Sequence, residues 1–153
     1  MIKRSPLRRL GTITGALSAA FVLSITQASA VSREVERATD SVGPGNVWGH
    51  ECNRKGANGA SIVCYYEKGD WLEIEDVKSD GYSAVMDWEI RDSEDRVVRY
   101  GSTFNADGLA TTRYKNKNFP DYNHRIRFRA CLGHWSTRLI TAGTCSSWIS
   151  RDT

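Results

Sequence analysis

Four cysteines in a chain of 153 residues are the strongest constraint on what this sequence can fold into. In an oxidising compartment they staple a small, loop-rich fold, and four cysteines allow three pairings. Cys52 and Cys64 lie almost symmetrically about Asn58-Gly59, a hairpin-turn signal. Cys131 ends one predicted strand and Cys145 begins the next. The spacing therefore favours two local bridges, Cys52–Cys64 and Cys131–Cys145, each closing a loop that chain entropy values at about 3 kcal/mol. There is no C-x-x-C pair, and no histidine sits at ligand spacing from a cysteine pair, so neither a metal nor a cofactor is expected.

The N-terminus predicts the oxidising compartment. Lys3, Arg4, Arg8 and Arg9 precede an apolar run from Ile13 to Ile25, and Ala28-Ser29-Ala30 offers a cleavage site. Charge, apolar run and small residues, in that order, mark residues 1–30 as a secretory signal peptide. The run is shorter than the ~20 residues that span a bilayer, so no membrane segment is expected after cleavage. Leu10-Gly11-Thr12 after the arginine pair fits the general secretory route better than twin-arginine export. The product is expected to be a secreted, extracellular monomer. The net charge of +3 belongs to the leader: without its four basic residues, 17 Lys and Arg face 18 Asp and Glu. That balance argues against a polyanion or nucleic-acid partner.

Residues 31–47 are polar and end in Gly43-Pro44-Gly45, the pattern of a mobile leader, with at most a transient helical turn at Glu34–Arg37. Residues 48–153 read as one domain of short strands. Ser61–Tyr66 and Trp71–Val77 are β-rich. From Tyr82 to Arg91, Ala84, Met86, Trp88 and Ile90 alternate with Val85, Asp87, Glu89 and Arg91. Strands at 96–102, 109–114, 124–131 and 145–149 follow, with Ile126, Phe128 and Ala130 alternating against Arg125, Arg127 and Arg129. Asn116–Asn123 is a polar loop. No period-3.6 apolar pattern appears. About seven short strands separated by turns predict an all-β, single antiparallel β-sandwich. Trp71, Trp88 and Trp148 are expected in its core, with one of Tyr65 and Tyr66 inside and the other outside.

Two resemblances accompany this reading. Val77–Trp88 looks like the turn and tryptophan-bearing strand of a fibronectin type III domain, and Arg125–Cys131 with Ser146-Ser147-Trp148 looks like that family's last hairpin. The likeness covers residues 70–150 and implies a fibronectin III/immunoglobulin-like sandwich. His124 stands where the family carries a tyrosine. The chain is also similar to small secreted, disulfide-containing proteins of filamentous actinomycetes with no assigned function, through Asp80–Val85, Phe128–Cys131 and Cys145–Trp148.

For function, the residues exclude more than they assign. No G-x-S-x-G follows the leader, and no phosphate loop, calcium loop or zinc helix motif is present. The leading expectation is a non-enzymatic binding module acting through strand-end loops on an extracellular protein or polysaccharide. Leu132–Thr144, closed at its base by a disulfide, presents His134, Trp135 and Arg138, and Trp and Arg are the usual anchors of interfaces. The alternative is that Trp135 caps the core. A second class is a small hydrolase using Glu73, Glu75, Asp87 and Glu89 with His124; a third is an extracellular protease inhibitor built on Trp135–Arg138. Residues 31–95 carry 15 acids and 7 bases, and residues 96–153 carry 3 acids and 10 bases. Lys115, Lys117, Arg125, Arg127 and Arg129 thus form either an anionic-ligand surface or a ladder that pairs with the acidic strands.

Overall fold

The computed structural model describes residues 30–46, 49–56 and 59–153, with Arg54 and Lys55 described by backbone alone. The expected signal peptide, apart from Ala30, and Asn58 of the expected turn lie outside these residues. Ten strands and no α-helix occur among them: β1 (Glu34–Arg37), β2 (His50–Gly56), β3 (Ser61–Tyr66), β4 (Trp71–Asp76), β5 (Ser83–Arg91), β6 (Val97–Asn105), β7 (Thr111–Asn116), β8 (Arg125–His134), β9 (Leu139–Ile140) and β10 (Ile149–Asp152). One sheet has the order β1-β6-β5-β8-β10, with β9 also on β8; the other has the order β2-β3-β4-β7.

The alternation read from the sequence decides which side of each strand faces the partner sheet. Val63, Tyr65, Leu72 and Ile74 from one sheet meet Ala84, Met86, Trp88, Ile90, Ile126, Phe128 and Ala130 from the other, all buried. This is a sandwich core. Both disulfides form as expected. Cys52 and Cys64 are direct cross-strand partners on β2 and β3, and Cys131 is joined to Cys145.

Three expectations change. The strand count is ten, not about seven, and the sandwich is not wholly antiparallel, because β1 runs parallel to β6. That strand lies inside the expected leader, where Glu34–Arg37 is extended and not helical. Ala38 follows it into the core, donating its N–H to Phe104 O at 2.8 Å, and Asp40 bridges to Tyr114 on the other sheet. Finally, of the three tryptophans expected in the core only Trp88 is buried; Trp71 and Trp148 are half-buried.

The physical reason for β1 is a charged seam. Glu34 and Glu36 pair with Gly101 and Thr103 and share their inward face. There they meet Lys117, whose side chain is 4% exposed and whose Nζ lies 2.6 Å from Glu34 and also bonds Glu36. Arg99 Nε donates to Glu34 at 2.6 Å. Lys117 Nζ stands 4.7 Å from the Trp88 ring centre, and the Arg99 guanidinium 5.2 Å from that of Phe119. Trp88 Nε1 donates to Thr103 Oγ1 at 3.1 Å, and that hydroxyl donates to Glu36 at 3.3 Å. Burial raises the Glu34 carboxyl, but the hydrogen bonds from Arg99 and Lys117 outweigh it and hold it below its ordinary value. The seam thus closes the gap between the sheets with paired charge in place of apolar side chains.

Another acid has no such partners. Asp76 is 2% exposed, opposite Ser61, and among the described residues its side chain takes the Lys78 N–H alone, at 3.2 Å, on Oδ1. Its Oδ2 and the Ser61 hydroxyl are buried without a hydrogen bond among these residues. Burial pushes its carboxyl above the ordinary value.

Candidate functional site

The disulfide-closed segment after β8 is the best-defined projection of the fold. β8 continues past Cys131 to His134 and returns as β9, with Gly133 opposite Ile140 and His134 opposite Leu139. Gly133 is required here: a Cβ would lie 2.5 Å from Leu139 O and 2.9 Å from the Phe104 ring. The turn is closed by the Arg138 N–H on Trp135 O at 3.2 Å, with Arg138 at φ 58°.

The return path is fastened by hydroxyls. The Thr141 N–H donates to Leu132 O at 2.8 Å, the Leu132 N–H to Thr144 Oγ1 at 3.1 Å, and that hydroxyl to Thr141 O at 2.7 Å. The Ser146 N–H donates to Ala130 O at 2.8 Å, and the Ala130 N–H to Ser146 Oγ at 3.1 Å. Residues 144–146 therefore occupy the edge of β8 much as a strand would, and β10 starts only at Ile149, not at Cys145 as expected.

Trp135 does two things. Its ring packs 5.6 Å from Phe104 in a small outer cluster with Val35, Val85, Cys131, Ile140 and Cys145. It is only half-buried, and the Arg138 guanidinium lies 5.3 Å from its ring centre. His134 is exposed beside Tyr82, ring centres 4.8 Å apart, and Leu139 is 66% exposed. The structure thus brings His134, Trp135 and Arg138 onto one rigid hairpin. It adds Tyr82 and Leu139, which the sequence did not single out; the hairpin register, which sets Leu139 across from His134, was the signal for Leu139, and Tyr82 had none.

The five expected anion-binding cations do not converge. Lys117 is in the buried seam and Lys115 lies 3.7 Å from Glu36. The three arginines of β8 stand opposite Asp87, Glu89 and Arg91 of β5. Arg129 pairs with Asp87 at 2.8 Å, Arg127 with Glu89 at 3.1 Å, and Arg125 with Asp95. Arg33 also bonds Asp87, and Arg91 bonds Glu89 at 2.7 Å. This is the paired ladder, on the outer face of the β5–β8 sheet. Trp148 leans over it, 4.3 Å from the Arg129 guanidinium and 5.3 Å from that of Arg127, which explains its place outside the core.

The hydrolase residues are also apart. Asp87 and Glu89 are in this ladder, whereas Glu73 and Glu75 alternate with buried Leu72 and Ile74 and so face outward from the other sheet. Glu73 accepts the Tyr66 hydroxyl at 2.6 Å; burial first, and then that bond, raise the Tyr66 phenol. His124 caps the start of β8, its Nδ1 2.8 Å from Tyr122 O. Among the described residues, one group of possible metal ligands is close together, Asp87 with Cys131 and Cys145, and its sulfurs are spent in the disulfide. No helix among these residues is long and apolar enough to cross a membrane.

Compared with known proteins, the chain matches no family model, no curated protein and no solved structure.

Proposed function

We propose that this protein is a secreted, non-enzymatic binding module acting through its strand-end loops, chiefly Gly133–Gly143, on an extracellular protein or polysaccharide. One observation carries the reading: a disulfide-closed hairpin, fixed along its length by hydrogen bonds, exposes Leu139 and His134 beside a Trp135–Arg138 pair. A preformed loop loses little conformational freedom on binding, so more of the contact energy appears as affinity. Two disulfides are compatible with the extracellular location.

We further propose a fibronectin III/immunoglobulin-like sandwich. Its support is the order β3-β4-β7 against β6-β5-β8-β10, with Trp88 buried on β5 beside β8. No observation favours the hydrolase, whose carboxylates lie on opposite outer faces. None favours the inhibitor, since Arg138 sits in a left-handed turn and not in an extended, cleavable strand.

The test is affinity capture from the secreting organism's medium and cell wall with wild type, Trp135→Ala and Leu139→Asp. A component held by wild type and lost in both variants, at unchanged melting temperature for Leu139→Asp, supports the reading. Equal capture by all three removes it.

A further inference from the structure

We infer that the opposite end of the sandwich, around Tyr122, is a second binding site, for the sugar rings of an extracellular polysaccharide. This goes beyond the hairpin reading and does not rest on it.

The loop between β7 and β8 is anchored on both sides. Lys117 and Phe119 are buried, and the Phe119 N–H donates to the Asp70 carboxylate at 2.8 Å, which also accepts the Tyr65 hydroxyl at 2.8 Å. Farther on, Thr153 Oγ1 donates to Pro120 O at 3.0 Å, and the Thr153 N–H donates to His124 O at 3.2 Å. Between these anchors Tyr122 and Asn123 both take left-handed backbone, φ 58° and 57°. Asparagine visits this region readily; for a bulky residue it costs about 1–2 kcal/mol.

The His124 ring nitrogen, 2.8 Å from the Tyr122 carbonyl, ties down the backbone, but among the described residues nothing engages the side chain. The Tyr122 side chain makes the residue 85% exposed, and among the described residues its phenol has no hydrogen-bond or ring partner. A strained backbone that holds an apolar ring out in water points to a role outside the fold.

The surroundings indicate the ligand. Tyr122 borders an open cleft of about 480 Å³ with Glu67, Lys68, Asp121 and Thr153. Two adjoining depressions share Glu67 or Thr153 with it and bring in Asp152. Arg125 and Arg151, which line these depressions, are engaged by Asp95 and Glu51. Glu67, Asp121 and Asp152 carry no ion pair among the described residues, and Lys68 is the one cation of the cleft beside them. An excess of free carboxylates repels a polyanion, and a polar, open cleft offers little to an apolar ligand. A sugar satisfies both features. Its C–H face lies on the exposed ring, and its hydroxyls donate charge-assisted hydrogen bonds to the carboxylates.

Native affinity electrophoresis of the mature protein tests this, in gels containing arabinoxylan, hydroxyethyl cellulose or glycol chitosan, with dextran sulfate as the polyanion control. Wild type is expected to be retarded in at least one of the first three and not in dextran sulfate. Tyr122→Ala is expected to weaken that retardation at least tenfold, and Leu109→Ala, which removes an exposed apolar side chain belonging to neither site, to leave it unchanged. Tyr122→Asn keeps a residue suited to the left-handed backbone and is expected to lose retardation equally, so a loss reports the ring and not the loop's shape. Retardation in none of the three gels, retardation only in dextran sulfate, or undiminished retardation of Tyr122→Asn each overturns the proposal.

Discussion

The molecule handles paired charge in two ways. On the outer face of the β5–β8 sheet, arginines and carboxylates stand opposite each other in partial contact with water, as in Arg127–Glu89. At the β1–β6 seam the cation is the buried member: the Lys117 side chain, 4% exposed, is held against Trp88 by Glu34 and Glu36, which keep partial contact with water. In the ladder the arginines stay partly hydrated, so a rung contributes little. Lys117 has given up its hydration, so it depends on its two partners. Charge pairing alone therefore does not rank the two; the burial of the cation does.

The largest expected effect tests that contrast directly. The double variant Glu34→Ala/Glu36→Ala leaves the buried Lys117 ammonium uncompensated and is expected to lose about 3–5 kcal/mol in urea unfolding. A loss below about 1 kcal/mol would make the seam no different from the ladder. The same region predicts a pH dependence. The Glu34 carboxyl is lower in the fold than in the unfolded chain, so its contribution is complete above about pH 4.3 and disappears as pH falls through its folded value. The stability difference between wild type and Glu34→Gln should shrink over that acid range.

Next in size, the double variant Cys131→Ser/Cys145→Ser is expected to lose about 3 kcal/mol by thermal or urea melts, with increased exposure of Trp135 by fluorescence quenching. Smaller and opposite in sign, Asp76→Asn is expected to gain about 1 kcal/mol at neutral pH. The amide keeps the Lys78 hydrogen bond and removes the buried negative charge. Since the Asp76 carboxyl is raised in the fold, the penalty it imposes is present at neutral pH and fades as acid protonates it. The advantage of the variant should fade likewise. The smallest effect belongs to the ladder: Arg127→Ala is expected to lose less than about 1 kcal/mol, and added salt should reduce the loss further.

The features legible in the sequence are local ones. β5 and the first half of β8 announce their faces by alternation, and Cys52 and Cys64 are equidistant from a turn, so hairpin register alone unites them. β1 was hidden because its inward residues are Glu34 and Glu36. Their partner Lys117 is 83 and 81 residues away, and nothing nearby marks these acids as facing inward. The same logic misplaced Trp148, whose neighbours Arg127 and Arg129 make a half-exposed aromatic stable outside the core. At the hairpin, His134, Trp135 and Arg138 could be read from residue type and the disulfide. Tyr82 is a neighbour across space, and the left-handed backbone of Tyr122 breaks the preference of its own residue type.

The placement of β1 has a consequence for the order of assembly. It precedes every other described strand, yet it has nothing to pair with until β6 is made, and its two inward acids lack their shared cation until Lys117 follows. Closing so long a loop is slow, and the hairpins β2–β3, β3–β4 and β5–β6 need no such wait. The first of the described strands is thus a late one to dock, and the sandwich stays unsealed along one side until Lys117 has emerged.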